Sequence, residues 1–177
     1  MNLPNFLTIL RILLVPVFVI LLLYGNRWGA LFTFVAAGVT DALDGLLARL
    51  CNQRSRLGTY LDPIADKILL ATAFVSLAAI REMPIWLVVI VIARDVIILL
   101  GFLILVLASY QVEASPTITS KATTVAQVLS VSLVLFNRLL PLPCWLLQFS
   151  FWSVAALTSL SGLQYIYLGT KILEEGD

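Results

Sequence analysis

The chain is 177 residues long, 61% hydrophobic and 12% charged, with a formal net charge of +1 and no histidine. Soluble domains are about half apolar and about a quarter charged, so this composition argues for an all-α integral membrane protein, one domain over residues 1–177. It leaves no broad basic face for nucleic acid, and it excludes histidine as a catalyst or metal ligand.

A membrane span needs about 20 apolar residues, and six candidates follow one another along the chain. The first covers residues 6–25 after Pro4. It is long enough to span and shows no clear small-residue cleavage site, so it reads as a retained helix, not a signal peptide. The "GNRWG" turn leads into the second span, 28–51, and the "CNQRSRLG" loop into the third, 58–80. "REMP" precedes the fourth, 84–109, "SYQVEASP" the fifth, 117–138, and "NRLLPLP" the sixth, 142–170. The connections are too short for a second domain, and no internal repeat is visible. Six spans put both termini on one side of the membrane. Arg49, Arg54 and Arg56 lie in or beside the loop after the second span, with Lys67 close by and Lys121 and Lys171 on the same side. The opposite loops hold Arg27, Arg81 and Arg138. The excess of cations sets the arginine-rich loop in the cytoplasm. Cys51 and Cys144 fit no metal spacing and fall near opposite faces, so no disulfide is expected between them.

Four carboxylates interrupt this apolar pattern. Asp41 and Asp44 are spaced i, i+3 and Asp62 and Asp66 i, i+4, so on helices each pair shares a face. The short polar loop between the two helices makes them antiparallel neighbours. The carboxylates then converge just inside the cytoplasmic end of a six-helix bundle, in a polar cavity open to the cytoplasm. Asp41 lies eight residues before Arg49, a depth of about 12 Å. Intramembrane carboxylates are costly and are explained by function in the first instance. Two unit charges about 5 Å apart repel by roughly 3 kcal/mol at an effective dielectric near 20. Either some of the four are protonated or cations sit between them. Carboxylates without histidine or thiolate select hard divalent ions such as Mg²⁺, Mn²⁺ or Ca²⁺. Two such ions would balance the four charges, and a two-metal clamp suits phosphoryl chemistry. Gly45 and Ala48 continue the face of Asp41 and Asp44, and Gly58 offers space from the next helix. Arg49, one turn further on, can hold a phosphate bidentately.

Other readings of the same residues stand beside this one. Glycine and alanine also serve close helix packing, a single membrane aspartate can relay protons or pair with a cation, and Arg54 and Arg56 can serve topology alone. An ion-coupled transporter is the alternative from another class. It explains buried carboxylates but not the Gly-x2-Ala-Arg and Gly-x3 spacing around them.

"DALDGLLAR", eight residues, then "GTYLDPIAD" reads as D-x2-D-G-x2-A-R-x8-G-x3-D-x3-D. Position for position this resembles the signature of the CDP-alcohol phosphotransferase family, whose usual six spans match the whole chain. The resemblance implies two divalent ions, Mg²⁺ or Mn²⁺, held by Asp41, Asp44, Asp62 and Asp66, with Asp66 also the general base. It implies a CDP site lined by Asp41, Asp44, Gly45, Ala48, Arg49 and Gly58, and transfer of a phosphoryl-linked group from a CDP-linked donor to an alcohol with release of CMP. It further implies a homodimer, here in a bacterial inner (plasma) membrane with lipid around it. "NLPNFLTILRILLVP" resembles the branch that uses CDP-diacylglycerol to make anionic phospholipids. The acceptor in that branch is phosphatidylglycerol or glycerol-3-phosphate. Relatives that use glycerol-3-phosphate tend to show G-K-x-K-T in span five and a further cation in span four. Here "SKATT" keeps Lys121 but has Thr123 in place of the second lysine, and the run after Arg94 and Asp95 is uncharged. This favours phosphatidylglycerol. Arg11, Arg94 and Lys121 are candidates for the acceptor phosphate. The structural alternatives are a salt bridge or carbonyl contact within the bundle for Arg94, the same kind of contact for Asp95, and an interfacial position for Arg11. Thr124 and Gln127 share a face and serve as polar lining or as helix-to-helix contacts.

Overall fold

The computed structural model describes the backbone of residues 3–51, 56–107 and 118–175 and the side chains of 9–40, 67–101, 104, 107 and 118–171. Those residues form six helices: α1 Leu3–Leu23, α2 Arg27–Cys51, α3 Arg56–Ala79, α4 Ile85–Leu107, α5 Ile118–Asn137 and α6 Cys144–Glu175. Each matches one apolar run of the sequence. The first begins earlier than hydropathy suggests and takes Pro4 into its opening turn. A proline is tolerated there because the first helical N–H groups have no acceptor within the helix. The chain divides into two compact units, Met1–Met83 with Val131–Leu142 and Pro84–Ser130 with Pro143–Asp177.

In the first unit α1 packs on α2 and α3. Residues spaced for one helical face are buried and the opposite face is exposed. On α1 the buried stripe is Arg11, Val15, Phe18 and Leu22, while Leu13, Val17, Ile20 and Leu23 face outward. On α2 Ala30, Phe34 and Ala37 are buried, and Trp28, Phe32, Val35 and Val39 are exposed. The alanines bring the helix backbones close, and Phe18 and Phe34 pack at 5.8 Å between ring centroids. Leu70, Ala73, Phe74 and Leu77 of α3 complete this core.

The turn between α1 and α2 follows from two residues. Gly25 has φ +74° and Asn26 precedes the first turn of α2. The N–H of Gly25 bonds the carbonyl of Leu22 and that of Asn26 the carbonyl of Leu21, the paired bonds that close a helix on a left-handed residue. The Asn26 side chain then accepts from the N–H of Gly29 at 2.9 Å, capping α2. The end of α3 repeats the same closure, with Arg81 bonded to Ala78 and Glu82 to Leu77, but its left-handed residue is Arg81 at φ 61°. Beside these turns Arg27 Nη1 donates to the Arg138 carbonyl at 2.7 Å, and Arg138 Nε lies 3.7 Å from a Glu82 carboxylate oxygen. The α1–α2 turn, the end of α3 and the residues just after α5 thus meet at one end of this unit.

In the second unit α4 packs on α6 through Leu87, Val91 and Arg94 of α4 and Val154, Thr158 and Ser161 of α6, all of them buried. Polar contacts tie α5 to α6. Thr119 hydrogen-bonds Gln164, the Thr123 hydroxyl is shared between the carbonyls of Thr119 at 2.8 Å and Leu157 at 3.1 Å, and Ser130 and Ser150 lie 3.3 Å apart. Outside, Trp86 and Trp152 pack in a tilted arrangement at 5.2 Å between ring centroids while remaining exposed. Cys144 is a free, exposed thiol, and the Cys51 side chain lies outside the described residues.

Both units invert the order of a water-soluble protein. Arg11, Arg94, Thr123, Gln127, Ser130, Thr158 and Ser161 are buried, whereas Leu13, Phe32, Leu99, Leu107, Phe149 and Leu163 are exposed. Apolar exteriors and polar contacts between helices belong to protein in lipid, where polar groups must find their partners inside. Among the described residues Ile118–Asn137 and Cys144–Lys171 are long and apolar enough to cross a membrane.

Candidate active site

The four aspartates lie on two helices of the first unit, α2 and α3, which the chain joins end to start. Asp41 is ten residues from the end of α2 at Cys51 and Asp66 ten residues from the start of α3 at Arg56. At 1.5 Å per residue both stand about 15 Å from the helix ends that the connection joins. Asp44 and Asp62 stand seven and six residues from the same ends, about 10 Å. The backbone therefore places these residues in two tiers, at similar distances along consecutive helices from the ends that the connection joins. Gly45, Ala48 and Arg49 follow in α2, and Gly58 is the third residue of α3, in its first turn. The side chains of Asp41, Asp44, Gly45, Ala48, Arg49, Gly58, Asp62 and Asp66 lie outside the described residues. Residues 52–55, which include Arg54, lie outside them entirely. The donor set is nonetheless defined chemically. It is all oxygen, it carries up to four negative charges, and no histidine exists in the chain to dilute it. Such a set fits hard divalent cations.

The three cations suggested for an acceptor fall in both units. Arg11 is fully buried in the core stripe of α1, in the first unit. Lys121 is exposed on α5 and Arg94 buried on α4, both in the second unit. Arg94 has a setting within its own unit, although its buried Nε has no hydrogen-bond partner among the described residues. Its Nη1 donates to Asp95 at 2.7 Å, and its Nη2 lies 2.8 Å from the Ser120 hydroxyl and 2.7 Å from that of Ser161. The guanidinium carbon is 5.8 Å from the Tyr165 ring centre, within cation–π range. Gly162 lies against the arginine stem, where a Cβ would make ordinary contact with Arg94 Cγ at 3.5 Å. The sequence offers a salt bridge or carbonyl contact within the bundle for Arg94 without naming a partner, and the structure supplies Asp95. Ser120, Ser161 and Tyr165 were not singled out, although Thr158, Ser161 and Tyr165 recur at helical spacing on α6, the pattern of a polar face turned inward.

Thr123, where a lysine would favour a phosphomonoester, is fully buried and its hydroxyl is used within its own unit. Gln127 and Thr158 are buried too. Among the described residues Gln127 Nε2 and Thr158 Oγ1 have no hydrogen-bond partner. Thr124 donates to the Ser120 carbonyl at 3.2 Å, a local helix bond.

The family model described as CDP-alcohol phosphatidyltransferase matches residues 1–160. The chain is 33% identical over 184 aligned positions to a CDP-diacylglycerol–glycerol-3-phosphate 3-phosphatidyltransferase of Bacillus subtilis (strain 168), covering 93% of each chain. It is 40% identical over 100 positions to a probable phosphatidylglycerophosphate synthase of Mycobacterium tuberculosis, covering 53% of this chain and 48% of the other. Against the human cardiolipin synthase (CMP-forming) it is 34% identical over 190 positions, covering 98% of this chain and 63% of the other.

Proposed function

Because the chain belongs to the CDP-alcohol phosphatidyltransferase family, we propose that it transfers a phosphatidyl group from CDP-diacylglycerol to the hydroxyl of a glycerol-based acceptor. The observation that carries this reading is the two-tier placement of Asp41, Asp44, Asp62 and Asp66 on consecutive helices. These four residues would hold two Mg²⁺ or Mn²⁺ ions, whose chemistry is to offset negative charge at the reacting phosphorus and on the departing CMP. Gly45, Ala48 and Gly58 leave room for the CDP moiety, and Arg49 holds a phosphate of the donor. The acceptor oxygen bonds to the phosphorus of the phosphatidyl group as the bond from that phosphorus to the CMP oxygen breaks. Asp66 takes the hydroxyl proton, and CMP leaves with the bonding electron pair. A transporter has no use for the glycine, alanine and arginine positions around the carboxylates, which favours the enzyme.

The setting we infer is a single domain of six spans, with the carboxylates in a polar cavity facing the cytoplasm. The membrane is a bacterial inner membrane, and the assembly is a homodimer. The outward apolar faces of α1, α2, α4 and α6 support immersion in lipid. The cation excess near the α2–α3 connection supports the orientation.

Phosphatidylglycerol is the acceptor that the second unit favours. The phosphate of glycerol-3-phosphate carries close to two negative charges, and each charge-assisted hydrogen bond to it is worth about 1.5–3 kcal/mol. Position 123 supplies a buried threonine, and the charge of Arg94 is already met by Asp95. A diester acceptor loses less by this than a monoester. Glycerol-3-phosphate is the second reading, favoured by the likeness to the Bacillus subtilis protein over 93% of both chains. The deciding test supplies purified, reconstituted protein with CDP-diacylglycerol and one acceptor at a time, and identifies the lipid product. Cardiolipin from phosphatidylglycerol is expected. Efficient phosphatidylglycerophosphate formation with no cardiolipin would reverse the choice of acceptor, and no CMP release with any alcohol would refute the enzyme.

A further inference from the structure

The end of the first unit remote from the aspartates carries chemistry that phosphatidyl transfer does not use. There the α1–α2 turn, the end of α3 and the residues after α5 bring Arg27, Arg81 and Arg138 together with one carboxylate, Glu82. Arg27 and Arg81 are exposed, and Arg138 is fixed by its Nε contact to Glu82 at 3.7 Å. Two aromatic side chains flank them, Tyr24 at 85% exposure and Trp28 at 56%. Trp28 stacks on Phe32 at 5.8 Å and heads the outward stripe of α2 that continues through Val35 and Val39. An amphipathic ring at the head of an apolar helix face, beside clustered arginines, is the composition of a membrane–water interface.

The backbone adds an independent observation. Both helix ends close with the same left-handed geometry, but α1 uses Gly25 at φ +74° and α3 uses Arg81 at φ 61°. A residue with a Cβ adopts that conformation unwillingly. Where a chain departs from its local preference, a function for the side chain is the first place to look. The function available to an exposed guanidinium at an end that also carries exposed Arg27 and Trp28 is to meet phosphate.

We propose that this end of the first unit is a docking surface for anionic phospholipid headgroups. Arg27 and Arg81 face the phosphates, Arg138, mostly buried and beside Glu82, lies behind them, and Tyr24 and Trp28 sit at headgroup level. The surface belongs to the leaflet opposite the one that opens to the carboxylates. It rests on the membrane setting inferred above. It is separate from the CDP and acceptor residues, and its role is to fix the depth of α1, α2 and α3 in the bilayer.

The test keeps Trp28 as the only tryptophan, with Trp86, Trp145 and Trp152 changed to Phe, in the full chain reconstituted into phosphatidylcholine vesicles. Brominated lipids with the bromine near the headgroup or near the acyl-chain end report depth by quenching. Phosphatidylserine, which takes no part in the proposed reaction, serves as the anionic probe when it carries the bromine as a minor component. Headgroup-level bromine is expected to quench Trp28 more than deep bromine, and brominated phosphatidylserine more than the same fraction of brominated phosphatidylcholine. Arg81→Gly should lower that preference for phosphatidylserine roughly fivefold, the effect of one cation near an anionic surface, while raising the thermal midpoint. Arg81→Lys should keep the preference. Stability and lipid preference moving in opposite directions in one variant separates a lipid contact from a structural arginine. A preference unchanged in Arg81→Gly, or lost equally in Arg81→Lys, overturns the proposal. Quenching by deep bromine alone overturns it and leaves the membrane setting standing, whereas no quenching at either depth overturns both.

Discussion

Asp41 and Asp62 occupy different helices and different tiers, and in the proposed metal site each supplies an oxygen ligand. Exchange of either for Asn removes one charge and one ligand without altering helix length. Losing a group that only supports a metal ligand costs about 10–100-fold in affinity or activity, so losing a ligand itself should lower turnover by about a hundredfold or more. Activity titrated against Mg²⁺, with helix content followed by circular dichroism, tests this. Asp66→Asn should act differently. Loss of a general base costs about 10²–10⁴-fold in rate, so this variant should still bind CDP-diacylglycerol yet transfer slowly. Single-turnover kinetics on pre-bound donor separates the two effects. Donor affinity that collapses while bound donor still reacts would make Asp66 a ligand alone. For Arg94 the arithmetic concerns stability. Arg94→Ala removes the cation of the Arg94–Asp95 pair and one donor each from the Ser120 and Ser161 hydroxyls. Breaking a buried ion pair costs about 3–5 kcal/mol, and the lower figure applies because the Asp95 side chain is 24% exposed. Unfolding in mixed micelles measures it.

The helices themselves follow from local rules, and so do their ends. Nothing lies within 4 Å of a Cβ built on Gly25, so crowding predicts no cost for Gly25→Ala. The positive φ predicts a loss of about 1 kcal/mol. The same denaturation assay decides between space and conformation. Gly162 presents the reverse case. A Cβ there makes ordinary contact with Arg94 Cγ at 3.5 Å, so Gly162→Ala should fold normally. Gly162→Leu must displace the arginine stem and with it the contact between α4 and α6. Six apolar runs were readable because a helix in lipid satisfies its own backbone bonds and must be about as long as the bilayer is thick. The helix boundaries were less readable. Pro4 belongs to the first turn of α1 instead of preceding it, and α6 continues to Glu175. Hydropathy marks where lipid ends, whereas backbone hydrogen bonding marks where a helix ends.

At the scale of the whole molecule the carboxylates and the apolar exterior have to be consistent with each other. Four aspartates among outward-facing leucine, valine and phenylalanine are tolerable only when their charge is met internally. Excess chelator should therefore abolish transfer, and Mg²⁺ or Mn²⁺ should restore it. Activity that persists in chelator would refute the metal-holding role of the aspartates. Acceptor choice belongs to this scale as well, because it depends on how many cations the fold leaves uncommitted. Arg94 is held by residues of α5 and α6 and by its own neighbour. Asp95→Asn should thus raise the rate with glycerol-3-phosphate relative to phosphatidylglycerol if Arg94 serves the acceptor, as parallel product assays would record. An unchanged ratio would leave Arg94 as a structural cation.

By itself the sequence determined the helix count and the spacing of Asp41, Asp44, Asp62 and Asp66 along α2 and α3. These properties depend on spacing within about 30 consecutive residues, and helical geometry converts spacing into position. The tertiary structure decided which polar groups meet. Arg94 finds Ser120 and Ser161 at separations of 26 and 67 residues, and Arg27 finds the carbonyl of Arg138 at 111. No periodicity encodes such partners, because they arise when separate helices pack. Arg81 in a left-handed conformation was equally invisible, since local preference points to glycine there and only the chain's path after α3 requires the turn.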